Sequence, residues 1–479
     1  MILRIDGNIS RTYCQNLCLI YFPGAKFPLD EEQDRSGNTA FISLNEENGT
    51  LYSEVQIITE NKSAKGEASY RISDFPTEER ARKITVGKAF GNAGNELLGK
   101  SSPWGIMTGV RPVKVAEDMK KRGLTDEEVI ERLVNDYCVR QDKASLLCRV
   151  IKQQEYAKSL AAENSVSLYV SIPFCPTRCN YCSFVSFSTP KYLSTLPAYL
   201  DKLCLDIKKT CEDINAQGKS IKSVYVGGGT PTVLNEEQLR RLIDTVNMSV
   251  KGHNILEFTV EAGRPDTVTA EKFDIMVSSG VDRTSINPQI LDDDVLKVIG
   301  RGHTVKDFYN AYEIARKSGI RSINTDLIAG LPSASEESFC RTVDDIVKLD
   351  PENVTVHTYC VKKSAAFTSE AYINGDKRGI YSFDGGITGA CVDYAQETLG
   401  ANGYSPYYLY RQKNAQGNLE NVGFCRDGYE GLYNIFIMEE IQSIAAVGAG
   451  AVSKTVGKPG EKIKRIFEPK YTYEYISKE

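Results

Sequence analysis

Three cysteines in one short loop constrain this chain more than any other feature of its sequence. Cys175, Cys179 and Cys182 have the spacing C-x3-C-x2-C and follow an apolar run at 168–172 that predicts a buried strand. Thiolates are soft ligands that suit iron–sulfur centres, so three of them can hold three irons of a [4Fe–4S] cluster. The fourth iron is then open to a small molecule. The alternatives are a zinc site, which needs a fourth Cys or His that does not follow within reach, and three incidental thiols.

The composition is that of an ordinary folded protein with two or three domains. The chain has 479 residues, of which 41% are hydrophobic and 25% charged. The formal net charge of -5 gives no global basic field that would attract nucleic acid or an anionic membrane. The 13 cysteines, in a chain with no recognisable signal peptide, predict reduced thiols and a cytoplasmic location. No stretch is apolar enough to predict a membrane span.

Residues 1–162 predict an α+β accessory domain. Thr125 and Glu128 form a capping box at the start of one of its helices. Cys14 and Cys18 lack a third ligand nearby, so we interpret them as buried thiols rather than a metal site. The loop that contains the only Trp is interpreted as a packed turn, with a docking loop as the alternative. The predicted strands are 1–6 and 54–60, the predicted helices are 77–88, 112–122, 125–138 and 141–161, and the loop is 103–112.

From residue 163 the pattern changes to alternating strands and helices, which is typical of parallel β/α units. Six such units over 163–375 predict a partial, open (β/α)6 barrel with its chemistry at the C-terminal ends of the strands. Residues 376–479 are richer in Gly and Tyr and predict a small α/β cap over the open side. The strands of the barrel are predicted at 168–172, 223–226, 257–261, 283–286, 322–326 and 353–358.

Two features follow strands at the predicted open end of the barrel. The Gly-rich turn at 227–231 lets the backbone approach a ligand and present N–H groups to it, although it could be only a tight connection. Glu261 ends the third strand, where a carboxylate can accept hydrogen bonds from two hydroxyls. In isolation, Glu261 would be interpreted as a surface residue.

The cysteine spacing resembles that of the radical S-adenosylmethionine (SAM) superfamily, in which the open iron chelates SAM. The turn Gly-Gly-Gly-Thr-Pro at 227–231, then Glu261, Gln289 and Arg301, then Asn-Thr-Asp-Leu-Ile-Ala-Gly-Leu-Pro at 324–332 occur in this order. This series is similar to the oxygen-independent coproporphyrinogen III oxidase family. The N-terminal region and Cys-Asn-Tyr-Cys-Ser-Phe, which ends at Phe184, resemble its HemZ-type branch, coproporphyrinogen dehydrogenase.

The resemblance implies a [4Fe–4S] cluster on Cys175, Cys179 and Cys182, with two SAM molecules beside it. It implies that Glu261 accepts from the ribose hydroxyls of SAM. Gln289 is implied to contact the second SAM with Arg301 and Asp326, although the last two could instead form a barrel ion pair. The residues that match cofactor-binding positions are Tyr169, Tyr181, Gly228, Gly229, Thr230, Glu261, Gln289, Arg301, Asp326, Cys360 and Val452.

The reaction implied by the resemblance begins when an electron from the cluster cleaves SAM. The resulting radical abstracts hydrogen beside a propionate, and loss of carbon dioxide and one further electron leaves a vinyl group. The substrate would be coproporphyrinogen III, the product protoporphyrinogen IX, and the electron donor of flavodoxin or ferredoxin type. An anionic tetrapyrrole needs cationic anchors. The candidates are Arg178, Lys362, Lys363, Arg411 and Lys413.

Two departures from the family pattern leave other functions open. The well-known oxidases carry a further Cys two residues after the triad, whereas Ser183 and Phe184 follow it here. The related haem chaperones share this ending but carry His-Asn-x-x-Tyr-Trp, and the comparable stretch at 417–424 lacks the His and the Trp. The alternatives are therefore a haem-binding, chaperone-like protein that retains the cluster, or a radical SAM enzyme that modifies another tetrapyrrole.

Overall fold

Two β-sheets organise the chain in a computed structural model that describes residues 1–28, 36–162, 164–360, 386–413, 415–457 and 461–478. The first sheet has four strands in the order β1-β2-β3-β4, and the helices that follow it lead into the second sheet. These elements are β1 (Ile2–Asp6), α1 (Arg11–Tyr21), β2 (Thr39–Glu47), β3 (Thr50–Ile58), β4 (Ser63–Arg71), α2 (Glu78–Leu98), α3 (Pro112–Lys121), α4 (Asp126–Asn135) and α5 (Gln141–Ser159).

The first sheet packs one face against the long helix α2. Leu51, Val55 and Ile57 alternate along β3 and are buried, as the period of two predicts. The close approach of α2 requires Gly66 on β4, because a Cβ there would collide with the carbonyl oxygen of Ala89. The pairing of β1 with β2 is parallel, while β2, β3 and β4 form an antiparallel meander.

The second sheet has eleven strands in the order β11-β12-β10-β9-β8-β7-β6-β5-β13-β14-β15. Its strands are β5 (Ser165–Ile172), β6 (Ser220–Gly228), β7 (Glu257–Glu261), β8 (Arg283–Ser285), β9 (Ser322–Ala329), β10 (Asn353–Thr358), β11 (Ser405–Arg411), β12 (Glu420–Cys425), β13 (Ser443–Val447), β14 (Val452–Thr455) and β15 (Lys464–Phe467). Its helices are α6 (Pro190–Leu193), α7 (Leu196–Ala216), α8 (Glu236–Ser249), α9 (Ala270–Ser278), α10 (Asp293–Val298), α11 (Val305–Lys317), α12 (Glu336–Leu349), α13 (Ile387–Ala401), α14 (Leu432–Glu439) and α15 (Thr472–Ile476).

The six central strands, β5 to β10, are parallel, which confirms the predicted α/β fold with a partial (β/α)6 barrel. Among the described residues, the two outermost strands, β11 and β15, do not pair with each other, so the sheet remains open. The boundaries of β7 and β10 agree with the prediction to the residue. The helix cap at Thr125 forms the predicted capping box, and Asn235 forms another with Gln238 at the start of α8.

The C-terminal region extends the sheet at both edges. Strands β11 and β12 add antiparallel pairs beyond β10, while β13 pairs in parallel with β5 and leads into the hairpin β14–β15. The region that the sequence predicts as a cap therefore builds both flanks of the barrel sheet. The domain boundaries at 162 and 375 stay predictions.

A buried ion pair joins the N-terminal region to this sheet. Lys143 on α5 and Glu420 on β12 are both fully buried, and Lys143 Nζ lies 2.6 Å from Glu420 Oε1. The second oxygen of Glu420 accepts from Trp104 Nε1 at 2.6 Å. Trp104 itself is fully buried, which agrees with a packed turn at 103–112.

Replacing Lys143 by Met leaves the Glu420 carboxylate buried without its main counter-ion. We expect a loss of about 3 kcal/mol in the free energy of unfolding, because an uncompensated buried charge is costly. Urea denaturation followed by tryptophan fluorescence measures it, since the single Trp contacts Glu420. The exposed Lys152→Met on the same helix is the matched control. Equal stability of the two variants would contradict the assignment.

Candidate active site

A cavity of 630 Å³ lies where the parallel strands end. Residues from β5, from the loops that follow the strands and from the C-terminal region line it. The chain thus brings together residues up to 285 positions apart, counted from Tyr169 to Lys454. All the predicted cluster and SAM residues are among those that line it, namely Tyr169, Cys175, Cys179, Tyr181, Cys182, Gly228, Gly229, Thr230, Glu261, Gln289, Arg301, Asp326, Cys360 and Val452.

Backbone hydrogen bonds fasten the Gly-rich turn to the cysteine loop. Gly229 N donates to Ile172 O at 2.8 Å, and Thr230 N donates to Phe174 O at the same distance. A Cβ on Gly229 would lie 2.5 Å from Phe174 O and 3.0 Å from Cys175 Sγ, so only glycine fits. The expectation that these N–H groups face a ligand is wrong for Gly229 and Thr230, because they bond the neighbouring segment instead.

The sulfur atoms of the loop have hydroxyl and guanidinium groups beside them. Thr230 Oγ1 donates to Cys175 Sγ at 3.4 Å, while Arg264 and Arg301 each direct a nitrogen at Cys179 Sγ, at 3.7 and 3.9 Å. Burial raises the pKa of the Cys175 and Cys182 thiols. Nearby cations favour the thiolate, which is the form that binds iron.

The three thiols fit a cluster better than a single ion. Within the described parts of the chain, no three His, Cys, Asp or Glu side chains converge as the ligands of one ion do. In an iron–sulfur cube each thiolate binds a different iron, so convergence on one point is not required. Cys175, Cys179 and Cys182 are free of disulfides and line the same cavity.

Three buried polar atoms without a hydrogen-bond partner belong to residues that line this cavity. Gln289 Oε1, Arg301 Nε and Ser285 Oγ are buried and have no partner. Gln289 is 7% exposed and has a positive φ of 67°, a conformation that costs energy for a non-glycine residue. Buried polar groups are nearly always hydrogen-bonded in proteins. This set therefore suits a polar ligand such as SAM.

Glu261 lies at the end of β7 in a tyrosine-lined corner. The hydroxyl of Tyr225 donates to Glu261 Oε1, and a Cβ on Gly227 would lie 2.9 Å from the carboxyl carbon. Burial, with a smaller contribution from the charge of Asp326, raises the pKa of Glu261 to about 7. The carboxyl group is thus poised to change its charge near neutral pH.

Asp326 and Arg301 line the cavity but do not form the ion pair that was the alternative interpretation. Arg301 donates to the carbonyl oxygens of Gly263 and Asn287. Asp326 accepts from Asn324 Nδ2 at 2.8 Å and lies 3.8 Å from His357 Nε2. Burial raises the pKa of Asp326, but the His357 and Asn324 contacts outweigh it, and the net shift is downward.

Several lining residues are not predicted by the sequence analysis. Tyr225 and Tyr433 stack with ring centroids 4.5 Å apart, and Tyr169 lies parallel to both at 6.1 Å. The alternation of β6 contains the signal for Tyr225, because Val224 and Val226 face the opposite side of the strand. Tyr433 lies on α14 and has no such signal.

The predicted substrate anchors have different outcomes. Arg411 is buried and donates to Met107 O at 2.6 Å and Asn418 O at 2.9 Å, so its assignment as an anchor is wrong. Arg178 and Lys413 are not among the residues that line the cavity. Lys362 and Lys363 lie outside the described residues.

Comparison with protein families gives a match to the Radical SAM superfamily over residues 169–346. This range begins in β5, just before the cysteine loop, and ends in α12. Together with the open parallel sheet, it defines a radical SAM protein, whose cofactors are a [4Fe–4S] cluster and SAM.

Similar proteins indicate the family within the radical SAM class. The chain is 36% identical over 391 residues to the oxygen-independent coproporphyrinogen-III oxidase-like protein HemZ of Bacillus subtilis, covering 81% of this chain and 77% of the relative. It is 36% identical over 208 residues to the heme chaperone HemW of the same organism, covering 42% and 52%. To the anaerobic coproporphyrinogen III oxidase 1 of Cereibacter sphaeroides it is 30% identical over 207 residues, covering 43% and 45%.

The chain belongs to the oxygen-independent coproporphyrinogen III oxidase family, in its HemZ-type branch. Among solved structures, the coproporphyrinogen III oxidase HemN of Escherichia coli aligns with a TM-score of 0.47 at 22% identity, covering 63% of this chain and 67% of that one. No helix in the described ranges combines the length and apolar character needed to cross a bilayer.

Replacing Cys179 by Ala removes one of the three proposed iron ligands. We expect loss of the brown cluster absorbance and of most bound iron after anaerobic reconstitution, because two thiolates cannot hold the cube. Iron and sulfide analysis measures this. The control is Cys204→Ala, which removes a buried thiol of α7 away from the cavity. Unchanged iron content in the Cys179 variant would rule out its role as a ligand.

Proposed function

We propose that this chain catalyses the oxygen-independent oxidative decarboxylation of coproporphyrinogen III to protoporphyrinogen IX in haem biosynthesis. The supporting observation is that the cysteine triad and the unpartnered polar atoms of Gln289 and Arg301 line one cavity. The HemZ and coproporphyrinogen oxidase relatives favour a tetrapyrrole as the substrate. When bound, the cluster and SAM supply the one-electron chemistry that begins with hydrogen abstraction beside a propionate.

The residues of the chain position these groups and exclude water from them. Cys175, Cys179 and Cys182 are proposed to hold three irons. The turn at Gly228, Gly229 and Thr230 lines the cavity, and its carbonyl oxygens are proposed to accept from the amino group of SAM. Thr230 O already accepts from Val233 N at 3.0 Å, so the carbonyl oxygens of Gly228 and Gly229 are the ones proposed for this role.

Other lining residues are proposed to recognise the ribose of SAM and a second SAM molecule. Glu261 is proposed to accept from the ribose hydroxyls, beside the stacked rings of Tyr169 and Tyr225. Gln289 and Asp326 are proposed to contact a second SAM, and Gln289 Oε1 lacks any other partner. The remaining cofactor-binding assignments are Tyr181, Arg301, Cys360 and Val452, all of which line the same cavity.

The reaction also needs an electron donor, which we propose to be of flavodoxin or ferredoxin type. The expected location is the cytoplasm, and none of the thirteen cysteines forms a disulfide. We propose that 1–162 is an accessory domain, 163–375 the barrel and 376–479 the C-terminal domain that completes its sheet.

A second candidate is haem binding and transfer. The matches to heme chaperones favour it, as does the Ser183-Phe184 sequence after the triad. His357 lines the cavity and could approach a haem iron, although its ring already lies near Asp326 and Tyr410. The first candidate explains the unpartnered Gln289 and Arg301 atoms, which haem transfer alone does not require.

Product analysis separates the two candidates. The reconstituted protein is incubated anaerobically with SAM, reductant and coproporphyrinogen III, and the products are resolved by chromatography and mass spectrometry. We expect vinyl-containing product together with 5′-deoxyadenosine. Release of 5′-deoxyadenosine without a vinyl product would reject the substrate but keep the class of enzyme. Stoichiometric haem binding without substrate-dependent SAM cleavage would favour haem transfer.

The raised pKa of Glu261 predicts that SAM binding depends on pH. The carboxylate is the form that accepts from the ribose hydroxyls, and a proton competes for it below the pKa of about 7. From pH 8 to pH 6 we expect the Glu261 contribution to weaken binding by about tenfold.

Equilibrium dialysis of SAM against the loaded protein measures this dependence. Glu261→Gln should bind more weakly at pH 8 and lose the Glu261 part of the pH dependence, since Gln does not titrate. Protonation of SAM itself affects binding to the wild type and to Glu261→Gln equally. Parallel pH profiles for the two would contradict the role of Glu261.

A further inference from the structure

Four cationic side chains surround one carboxylate beside the cavity. Glu440 Oε2 pairs with Arg111 and lies 2.7 Å from Lys114 Nζ, while Oε1 lies 3.9 Å from an Arg465 nitrogen. Lys454 is close enough for the charges of Arg111, Glu440 and Arg465 to act on it. We refer to these five residues as the Glu440 cluster.

Three separate parts of the chain build the Glu440 cluster. Arg111 and Lys114 lie at the start of α3, in the N-terminal region. Glu440 follows α14 in the left-handed conformation, with φ of 53°. Lys454 and Arg465 are register partners on the hairpin β14–β15. The side chains of Arg111 and Arg465 remain 27% and 45% exposed, so a ligand can reach them.

The Glu440 cluster carries more positive charge than its own carboxylate can neutralise. Glu439 is near enough to Lys114 for their charges to interact, but it also lies 4.0 Å from Lys158, which pairs directly with Glu117. Burial lowers the pKa of Lys454, and the charge of Arg111 lowers it further. Positive charge at Lys454 is therefore only partly compensated by Glu440.

The Glu440 cluster is continuous with the cavity. Lys454 lines the cavity itself, two residues after Val452. In the described part of the chain, the other Lys or Arg residues that line it are Arg264 and Arg301. Arg264 is held by Thr177 and Asp266, and Arg301 by two backbone carbonyls. Since Arg301 is already assigned to SAM, Lys454 is the lining cation left for a carboxylate of the substrate.

We propose that the Glu440 cluster is a carboxylate-binding site that anchors propionates of the tetrapyrrole substrate at the edge of the cavity. This inference rests on the proposed function and adds the residues that recognise the substrate. Several point charges and two guanidinium groups suit a ligand with several carboxylates. Glu440 holds these cations together and competes with the incoming carboxylates. The N-terminal region thereby supplies two residues of the substrate site.

Binding of coproporphyrin III, a stable porphyrin with four carboxylates, tests this proposal without turnover. The full-length reconstituted protein is titrated anaerobically, and quenching of porphyrin fluorescence gives the dissociation constant. We expect Lys454→Gln to weaken binding about tenfold, the loss for one charge-assisted hydrogen bond, and Arg111→Gln to weaken it severalfold. The control is Lys251→Gln, an exposed lysine between α8 and the start of β7, which does not line the cavity.

The Glu440→Gln variant distinguishes a carboxylate-binding site from a purely structural ion-pair network, because the two predict opposite changes in porphyrin affinity. Removing the competing carboxylate leaves all four cations in place, so we expect coproporphyrin III to bind severalfold more tightly. A structural network predicts weaker or unchanged binding, because its only anion would be lost. Circular dichroism melting of each variant verifies that it is folded.

The outcomes separate this inference from the proposed function. Equal affinity of the wild type, Lys454→Gln and Arg111→Gln for coproporphyrin III overturns the site but not the reaction. Affinity that depends on the Glu440 cluster, without any vinyl product in turnover, keeps the site and rejects the reaction. Failure of the wild-type protein to bind the porphyrin counts against both.

Discussion

The structure depends on the hydrogen bonds that join the cysteine loop to the Gly-rich turn. Gly229 N and Thr230 N donate to the carbonyls of Ile172 and Phe174, and Thr230 Oγ1 donates to Cys175 Sγ. The cysteine loop contains no helix or strand of its own, so the hydrogen bonds to the neighbouring β/α unit fix its path. Any side chain at Gly229 would separate the two segments. Gly229 is therefore needed mainly to align the cysteine loop. Close approach of the backbone to a ligand is a secondary consequence.

The sequence predicts the barrel and the cofactor cavity well, for a physical reason. Buried parallel strands such as β7 and β10 are short segments in which Phe or Val alternates with Thr and polar residues mark both ends, and the chemistry lies at or just after their C-terminal ends. The order of the strands along the chain therefore predicts which residues meet at the C-terminal end of the sheet. Strand β4 is not predicted, because its sequence Ser-Ala-Lys-Gly-Glu-Ala-Ser-Tyr-Arg has little apolar character. Pairing with β3 and packing against α2 are what make this segment a strand. Helix α1, whose first turn contains no acidic residue, is also not predicted.

Contacts between distant segments are what the sequence cannot predict. The sequence predicts Arg411 as a substrate anchor, yet its side chain donates a hydrogen bond to Met107 O in the N-terminal region. Tyr433 reaches the stack with Tyr169 only because α14 packs on the strands. No local pattern relates Arg111 to Glu440 or Arg465, since each belongs to a different part of the fold. Their proximity arises from the way α3 and the hairpin β14–β15 meet the end of α14.

The proposed sites for the cofactors and for the substrate therefore lie in different parts of the fold. The residues assigned to the cluster and SAM lie mostly within the β/α units, where a family resemblance carries over residue by residue. The cations of the Glu440 cluster come from the N-terminal region and the C-terminal hairpin, which lie outside the 169–346 range of the superfamily match. Under this proposal, substitutions in those parts would alter substrate binding without touching the residues assigned to the cluster and SAM. The relatives, which include both coproporphyrinogen oxidases and heme chaperones, are consistent with function being set outside the common superfamily range.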